Sequence, residues 1–274
     1  MQALKLGSYY GESNRQLSLP DLLLTDLVYT HNYVDWHYHE HAYFAYLLKG
    51  QLGVTDRKQT HQLETGNLHF HYSEEPHCNH KPDIFTRSFH LEIHQNWFKR
   101  YDQKPHKEAG SRLIMHPQQH LLFEQIYRES YLKDADANLS IDALVLQLMS
   151  HMATHDTVYQ PQSPLWLKRL ESILHEETNS LSLGQLAELL DVHPVYLCQE
   201  SSRVLGCTMG QYRRKLKLTR ALTAMRNAQS SLTEVAYMSG FSDQSHFCRV
   251  FKQVFGYTPL QYRKKFLQAW DLTP

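Results

Sequence analysis

The chain has 274 residues, and its 28 Lys and Arg balance its 28 Asp and Glu, so the formal net charge is zero. Four scattered cysteines without a CxxC pair exclude a disulfide-stabilised scaffold and are typical of reduced thiols. Because no apolar run reaches the ~18 residues of a membrane span and the first residues lack the apolar core of a signal peptide, we expect a cytoplasmic protein without a membrane partner.

The charges are unevenly distributed along the chain. Residues 165–274 contain 14 Lys and Arg against 9 Asp and Glu, a formal charge of +5, whereas residues 1–164 contain 14 against 19, a formal charge of −5. A chain of this length has room for two domains, each with its own core. The asymmetry therefore predicts a polyanionic partner, such as DNA, for the C-terminal part only.

From about Leu22 to Ile93 the pattern predicts β-strands. Short segments rich in Val, Tyr, Phe, Leu and His alternate with turn signals such as Gly50 and Thr65-Gly66. This spacing suits the hairpins of an antiparallel barrel or sandwich, whose interior has room for about one small molecule. We expect an effector to bind among the aromatic and imidazole wall residues, for which the candidates are Tyr29, His37, His39, Tyr43, Tyr46, His69, His71 and His77.

From about Pro117 the apolar residues recur at helical spacing, in one segment around Leu121–Tyr127 and another around Ile141–Met152. The stretch Thr157–Pro164, with two prolines and two glutamines, resembles a short linker. We therefore predict a first domain at 1–160, a linker at 161–165 and a second domain at 166–274.

The second domain contains an internal repeat. Leu183–Gly206 parallels Leu232–Gly256 at an offset of 49 to 50 residues, with Ala187 aligned to Ala236. Each copy begins with a capping box, Ser182 with Gln185 and Ser231 with Glu234. We predict two helix-turn-helix units, joined by a long helix over 211–227.

The second copy is the more informative of the two. Its first helix is predicted to have an apolar face made of Leu232, Val235, Ala236 and Met238. Gly240 ends this helix, because a sharp turn favours a residue that tolerates positive φ. The next helix is predicted to bury Phe247, Val250, Phe251 and Val254 and to expose Gln244, Ser245, His246 and Arg249. A short helix with Gln and Arg on its outer face suits the major groove of DNA.

The second copy resembles the C-terminal signature of the AraC/XylS family of bacterial transcription regulators. The resemblance rests on Ala236, Gly240-Phe241, Asp243, Phe247, Arg249, Phe251-Lys252, Gly256, Thr258-Pro259 and Tyr262-Arg263. It implies base contacts from Gln244, Ser245 and Arg249, and from Val195, Cys198 and Gln199 in the first copy. His246, on the same outer face, is also expected to contact DNA. It also implies phosphate contacts from Arg203, Arg213, Arg214 and Lys252. The first copy departs from the family pattern at Glu200-Ser201, where apolar residues are usual.

The N-terminal part resembles, more loosely, the cupin-like sensing domain of the same family. The similar segments are Trp36-His37-Tyr38-His39, Leu47-Leu48-Lys49-Gly50, Gly66-Asn67-Leu68 and Pro76-His77. His37 and His39 alternate on one face of a strand, and with His77 they could form a cupin metal site. However, metal-binding cupins usually have a carboxylate where this chain has Tyr43, so we expect neither a metal nor another cofactor.

The predicted fold is thus two-domain α+β: an N-terminal cupin-like β-barrel with following helices, then an all-α domain of two helix-turn-helix units. The predicted function is transcription regulation, typically activation, by a homodimer that binds double-stranded DNA, contacts RNA polymerase and responds to a small-molecule effector, such as a sugar or an aromatic acid. The family places its dimer contact on helices such as Ile141–Met152. One alternative is a metal-dependent cupin enzyme with an appended helical domain. Another is a DNA-repair methyltransfer protein, for which the cysteines are too scattered.

Overall fold

The computed structural model describes residues 1–103, 111–132, 136–158, 164–176 and 181–267. The chain divides into two compact units, one made of Met1–His116 with Ile126–Leu146 and the other of Pro117–Gln125 with Gln147–Pro274. Positions 161–163 of the predicted linker lie outside the described residues, and Leu165 already begins a helix. The domain limits drawn from the sequence stay predictions.

Strands dominate the first unit. The described residues form β1 (Gln2–Leu4), β2 (Gly11–Leu19), β3 (Leu22–Tyr29), β4 (Tyr33–His39), β5 (Ala42–Lys49), β6 (Gln51–Asp56), β7 (Thr60–Glu64), β8 (Leu68–His71), β9 (His77–His80), β10 (Arg87–Ile93) and β11 (Ser111–Ile114). They make a five-stranded sheet in the order β1-β4-β9-β6-β7 and a six-stranded sheet in the order β11-β8-β5-β10-β3-β2. The predicted β unit is confirmed.

Strand register determines which side chains face the interior between the sheets. On β5, Tyr43 lies opposite His71 of β8 and Glu92 of β10. On β4, His37 lies opposite His77 of β9. Because alternate residues of a strand share a face, these pairings place polar side chains at one part of the interior, while the rest is an apolar cluster of Leu27, Tyr29, Leu47, Leu52, Val54 and Leu63.

The other face of the six-stranded sheet contacts Tyr127 of the same unit. Phe89 of β10 meets Tyr127 edge-on, with ring centroids 5.0 Å apart. This explains why β3, β5 and β10 are buried along almost their whole length and have few exposed polar positions.

The helices are α1 (Gln95–Arg100), α2 (Pro117–Glu129), α3 (Ala137–Val158), α4 (Leu165–Glu176), α5 (Leu183–Leu190), α6 (Pro194–Leu205), α7 (Met209–Met225), α8 (Leu232–Met238), α9 (Gln244–Phe255) and α10 (Pro259–Tyr262), followed by a π-helical turn at Arg263–Leu267. None of the helices in the described part of the chain combines the length and apolarity needed to cross a membrane.

The predicted repeat is present as two helix-turn-helix units, α5-α6 and α8-α9, joined by α7. Both predicted capping boxes form, and two more, Thr208 with Gln211 and Thr258 with Gln261, follow the two copies in turn. Gly206 and Gly256 end the second helix of each unit in the left-handed conformation, at φ 64° and 75°. The two-domain α+β fold class is therefore confirmed.

Two details of the predicted helix faces were wrong. Val254, expected inside, is exposed, and Phe255 takes its place in the core. Met238, expected on the apolar face of α8, is also exposed, because the buried side of that short helix ends at Val235 and Ala236. Both residues lie near the end of a helix, where assignment from periodicity alone is least reliable.

Candidate functional site

Helix α9 is positioned by its caps and by its aromatic face. Asp243 accepts a hydrogen bond from the backbone N–H of His246 at 2.7 Å and begins the helix, and this bond lowers the pKa of the Asp243 carboxyl. Gly240 supplies the left-handed turn residue at φ 82°. The buried side chains of α9 are Phe247, Val250, Phe251 and Phe255. The helix is thus fixed in orientation by its core contacts, which leaves its other face in solvent.

The exposed face of α9 contains most of the side chains expected to contact DNA. Gln244, Ser245, Arg249 and Lys252 are all exposed. His246 differs, because it is half-buried and its ring meets Phe241 edge-on at 5.6 Å. The structure thus places four of the five side chains expected to contact DNA from this unit on one exposed surface. The fifth, His246, packs against Phe241 at the turn.

Helix α6 presents the corresponding surface of the first unit. Val195, Cys198 and Gln199, the base contacts expected for this unit, are exposed. The departure at Glu200-Ser201 is accommodated, because Ser201 points into the core and its hydroxyl donates to the carbonyl of Cys198 at 3.3 Å. A small side chain with an internally satisfied hydroxyl therefore occupies the inward position, where the family usually has an apolar residue.

The predicted phosphate contacts have different surroundings. Arg203 is exposed and donates two hydrogen bonds, at 3.0 and 2.7 Å, to the carboxylate of Glu200, which raise its pKa. Arg214 on α7 is exposed, whereas Arg213 is half-buried. Arg214 and Lys252 are thus presented directly to solvent, and Arg203 would have to exchange Glu200 for a phosphate.

The second candidate site is the polar interior of the first unit. The ring of Tyr43 stacks on His71 at 4.3 Å and lies 4.5 Å from His39, and its hydroxyl is 3.2 Å from Nε2 of His77. Nδ1 of His69 is 2.9 Å from Nε2 of His71. Seven of the eight residues predicted to line the barrel therefore face its interior, with Tyr29 at its apolar side: Tyr29, His37, His39, Tyr43, His69, His71 and His77.

Tyr46 is the exception. It is three residues from Tyr43 on the same strand, so it lies on the opposite face of β5, where its backbone neighbours are Leu68 and Phe89. The prediction that Tyr46 lines the barrel was wrong, because strand alternation had not been applied to it.

Three interior residues were missed: Tyr9, His90 and Glu92. The hydroxyl of Tyr9 donates to the carboxylate of Glu92, which also accepts from the backbone N–H of Gly7. Tyr9 also meets His90 edge-on at 4.6 Å. The alternation of Ser88, His90 and Glu92 along one strand could have identified two of them, whereas Tyr9 precedes the predicted β region.

Burial controls the charge state of this interior. It raises the pKa of Glu92 to about 7, against the lowering effect of the bond from Tyr9. Burial, together with neighbouring imidazoles, lowers the pKa of His77 to about 3 and the pKa values of His39 and His71 well below the usual range. The imidazoles are accordingly neutral at physiological pH, and neutral imidazole is the form that binds metals or accepts hydrogen bonds.

Comparison with known proteins gives a family profile on the C-terminal helices and relatives that align with most of the chain. A family profile described as "Helix-turn-helix domain" matches residues 186–265. An uncharacterised HTH-type transcriptional regulator of Haemophilus influenzae is 24% identical over 256 residues, covering 81% of this chain and 85% of its own. The HTH-type transcriptional activator RhaR of Salmonella dublin is 23% identical over 244 residues, covering 83% and 86%. The C-terminal domain of AraT, a response regulator of Geobacillus stearothermophilus, aligns at 26% identity with a TM-score of 0.38, covering 42% of this chain and 95% of that one.

Proposed function

We propose that this chain is a member of the AraC/XylS family of transcription regulators, that it binds DNA through its two helix-turn-helix units, and that it is regulated by a small molecule bound in its β unit. The observation that carries the proposal is the duplication itself. Each unit begins with a serine capping box, ends with a left-handed glycine, and has a buried inner face and an exposed helix, α6 or α9, at the position that enters a major groove. The proposed role is regulation rather than catalysis, and the proposed location is the cytoplasm.

In this proposal, α6 and α9 enter successive major grooves about one helical turn, roughly 34 Å, apart. Arg249 donates to guanine and Gln244 pairs with adenine, the usual partners of these side chains. Val195 and Cys198 offer apolar contacts, for instance to a thymine methyl group. Arg214 and Lys252 contact phosphates, and Arg203 does so when it leaves Glu200.

We further propose that the active form is a homodimer and that it contacts RNA polymerase. The apolar side chains of the predicted dimer helix, including Ile141, Val145 and Leu148, are already buried within the chain. The exposed stripe of α3 instead contains Leu139, Ala143 and Gln147, at four-residue spacing. A contact between copies through α3 would use this stripe.

The effector is proposed to bind among the polar side chains of the β unit's interior, where Tyr43 and the imidazoles provide ring faces and hydrogen-bonding nitrogens. These groups suit a sugar or an aromatic acid. Effector binding would change which pairs of DNA half-sites the regulator can bridge. The free energy of effector binding would therefore couple to the free energy of DNA binding.

The test is a selection of random DNA duplexes by the full-length protein at about 0.15 M salt, where non-specific phosphate binding is limited. The expected result is a motif with two blocks separated by one helical turn. Arg249→Ala should then weaken binding by about 1–3 kcal/mol and relax base preference within one block. Lys168→Ala, which removes an exposed charge on α4, is the matched control and should leave the motif unchanged. An Arg249→Ala protein with full affinity and unaltered preference would contradict the proposed contact.

A further inference from the structure

Three histidines converge inside the β unit from two neighbouring strands. His37 and His39 lie on β4 and His77 on β9, and one ring nitrogen from each lies within 4.8 Å of the others. The ring centroids of His37 and His77 are 4.3 Å apart, and all three side chains are buried. Ring nitrogens that lie this close together in a buried site form an arrangement that a cation would stabilise, because it would interact favourably with their lone pairs.

The backbone fixes which nitrogen of two of these rings is available. Nδ1 of His37 lies 2.8 Å from the carbonyl of Asp35, and Nδ1 of His77 lies 3.1 Å from the carbonyl of Glu75. Because a carbonyl only accepts, each Nδ1 bears the proton and each Nε2 keeps its lone pair. Metal-binding histidines are oriented in the same way, by a second hydrogen bond to a carbonyl or a carboxylate.

The third ring provides an independent sign of a missing partner. Nδ1 of His39 is buried and has no hydrogen-bond partner among the described residues. Buried polar atoms are nearly always satisfied, so an orphaned nitrogen beside two oriented imidazoles needs an explanation. A cation bound within this triad would explain the unpartnered nitrogen, because the ion would supply the interaction that no described residue of the protein supplies.

The sequence led us to expect no metal, because Tyr43 stands where metal-binding cupins usually have a carboxylate. Its hydroxyl donates to Nε2 of His77 at 3.2 Å, so it occupies a ligand atom in the metal-free protein. That bond is between neutral groups and contributes far less than a metal–imidazole bond does. The hydroxyl therefore covers the site without closing it.

We propose that His37, His39 and His77 bind one divalent transition-metal ion, of the Zn²⁺ class, in the β unit. An all-imidazole ligand set selects Zn²⁺, Fe²⁺, Ni²⁺ or Cu²⁺ over Mg²⁺ and Ca²⁺, which prefer oxygen ligands. Three protein ligands leave a coordination position open. Water or an anionic group of an effector would occupy it, next to the hydroxyl of Tyr43.

The experiment uses full-length protein freed of any affinity tag and of metal by chelation, then titrated with Zn²⁺ and, as a spectroscopic probe, Co²⁺. We expect one equivalent of either ion per chain, visible absorption bands typical of low-coordinate Co²⁺, and a rise of the unfolding temperature with free Zn²⁺ concentration. His39→Gln and His77→Gln should each weaken binding at least about tenfold. His61→Gln is the matched control, because it removes a histidine of β7 outside the triad.

Tyr43→Phe separates the role of the tyrosine hydroxyl from that of the three imidazole ligands. It removes the hydroxyl that covers Nε2 of His77 and keeps all three imidazoles, so it should bind Zn²⁺ at least as tightly as the wild type. The proposal is overturned if the wild-type protein takes up no stoichiometric Co²⁺ or Zn²⁺, or if His39→Gln and His77→Gln proteins with native circular dichroism bind as tightly as His61→Gln. Since no DNA is present, these outcomes do not depend on the proposed regulatory function.

Discussion

The hydroxyl of Thr233 donates a hydrogen bond to Oε1 of Gln244, 2.6 Å away, and so ties the first turn of α8 to the first turn of α9. The bond leaves the amide NH₂ of Gln244 and the second lone pair of Oε1 for a base. A glutamine held in this way loses less conformational freedom when it pairs with adenine.

Thr233→Val should remove this restraint while preserving the shape of the side chain. We expect a loss of about 1 kcal/mol at the selected DNA site and a weaker preference at the base that Gln244 contacts. Competition binding with duplexes altered at that base measures both. Thr219→Val, which changes a hydroxyl bonded within α7, should alter neither. Unchanged discrimination in the Thr233 variant would mean that Gln244 is not oriented by this bond.

Gly206 and Gly210 are a matched pair for testing backbone strain. Neither would bring an added Cβ within 4 Å of another atom, but Gly206 has φ 64° and Gly210 lies in α7. Gly206→Ala should destabilise the protein by about 1–2 kcal/mol, because an L side chain disfavours the left-handed region. Gly210→Ala should stabilise it by up to about 1 kcal/mol. Urea unfolding of both variants gives the comparison, and equal effects would contradict it.

Glu92 makes stability depend on pH. Its pKa is about 7 in the folded protein and about 4.5 when unperturbed, so the folded state binds the proton more tightly. Its contribution to stability is therefore complete below about pH 4.5, falls as pH rises towards 7 and is then lost, with a total change of at most about 3 kcal/mol. The groups that face the carboxyl are the hydroxyls of Tyr9 and Tyr43 and the N–H of Gly7.

The measurement is urea unfolding between pH 5 and about 8 with a chelator present, comparing wild type with Glu92→Gln. As pH rises, the unfolding free energy of the wild type should fall relative to that of Glu92→Gln, because the variant has no carboxyl to titrate at this position. Glu12→Gln, at an exposed position of β2, should follow the wild type throughout. A constant difference between wild type and Glu92→Gln would show that the carboxyl does not titrate in this range.

Within the second unit, Glu124 of α2 is fully buried and accepts hydrogen bonds from Arg226 at 2.9 Å and from Tyr262 at 2.6 Å. Glu124→Ala should destabilise the protein by roughly 3–5 kcal/mol, because it removes one partner of a buried ion pair. Glu124→Gln retains an acceptor for Tyr262 and should cost less. Thermal unfolding ranks the three proteins, and a loss below about 1 kcal/mol for Glu124→Ala would contradict the role assigned to this pair.

Local rules accounted for the C-terminal helices almost completely. Ser182, Ser231 and Gly240 act through contacts with residues only a few positions away, so their spacing alone predicts caps and turns. The faces of α6 and α9 follow from helical periodicity, except near their ends. His246 was misplaced because its ring could turn either to solvent or under Phe241, and only the packed turn decides between them.

The β unit shows the limit of the same approach. Alternation could place His37 and His39 on one face, and applied to β5 and β10 it would also have excluded Tyr46 and included Glu92. It could not bring Tyr9 to Glu92, which are 83 positions apart, or show that the carbonyls of Asp35 and Glu75 orient two imidazoles.

The sequence by itself determined the elements, the repeat and the exposed faces of α6 and α9, because these depend on hydrogen bonds and periodicities within a few residues. Only the tertiary structure decided that Tyr9 meets Glu92, and that Glu124 lies with Tyr262, 138 positions away. Such contacts depend on strand register and helix packing, which are set by the fit of the whole core and leave no local pattern in the chain.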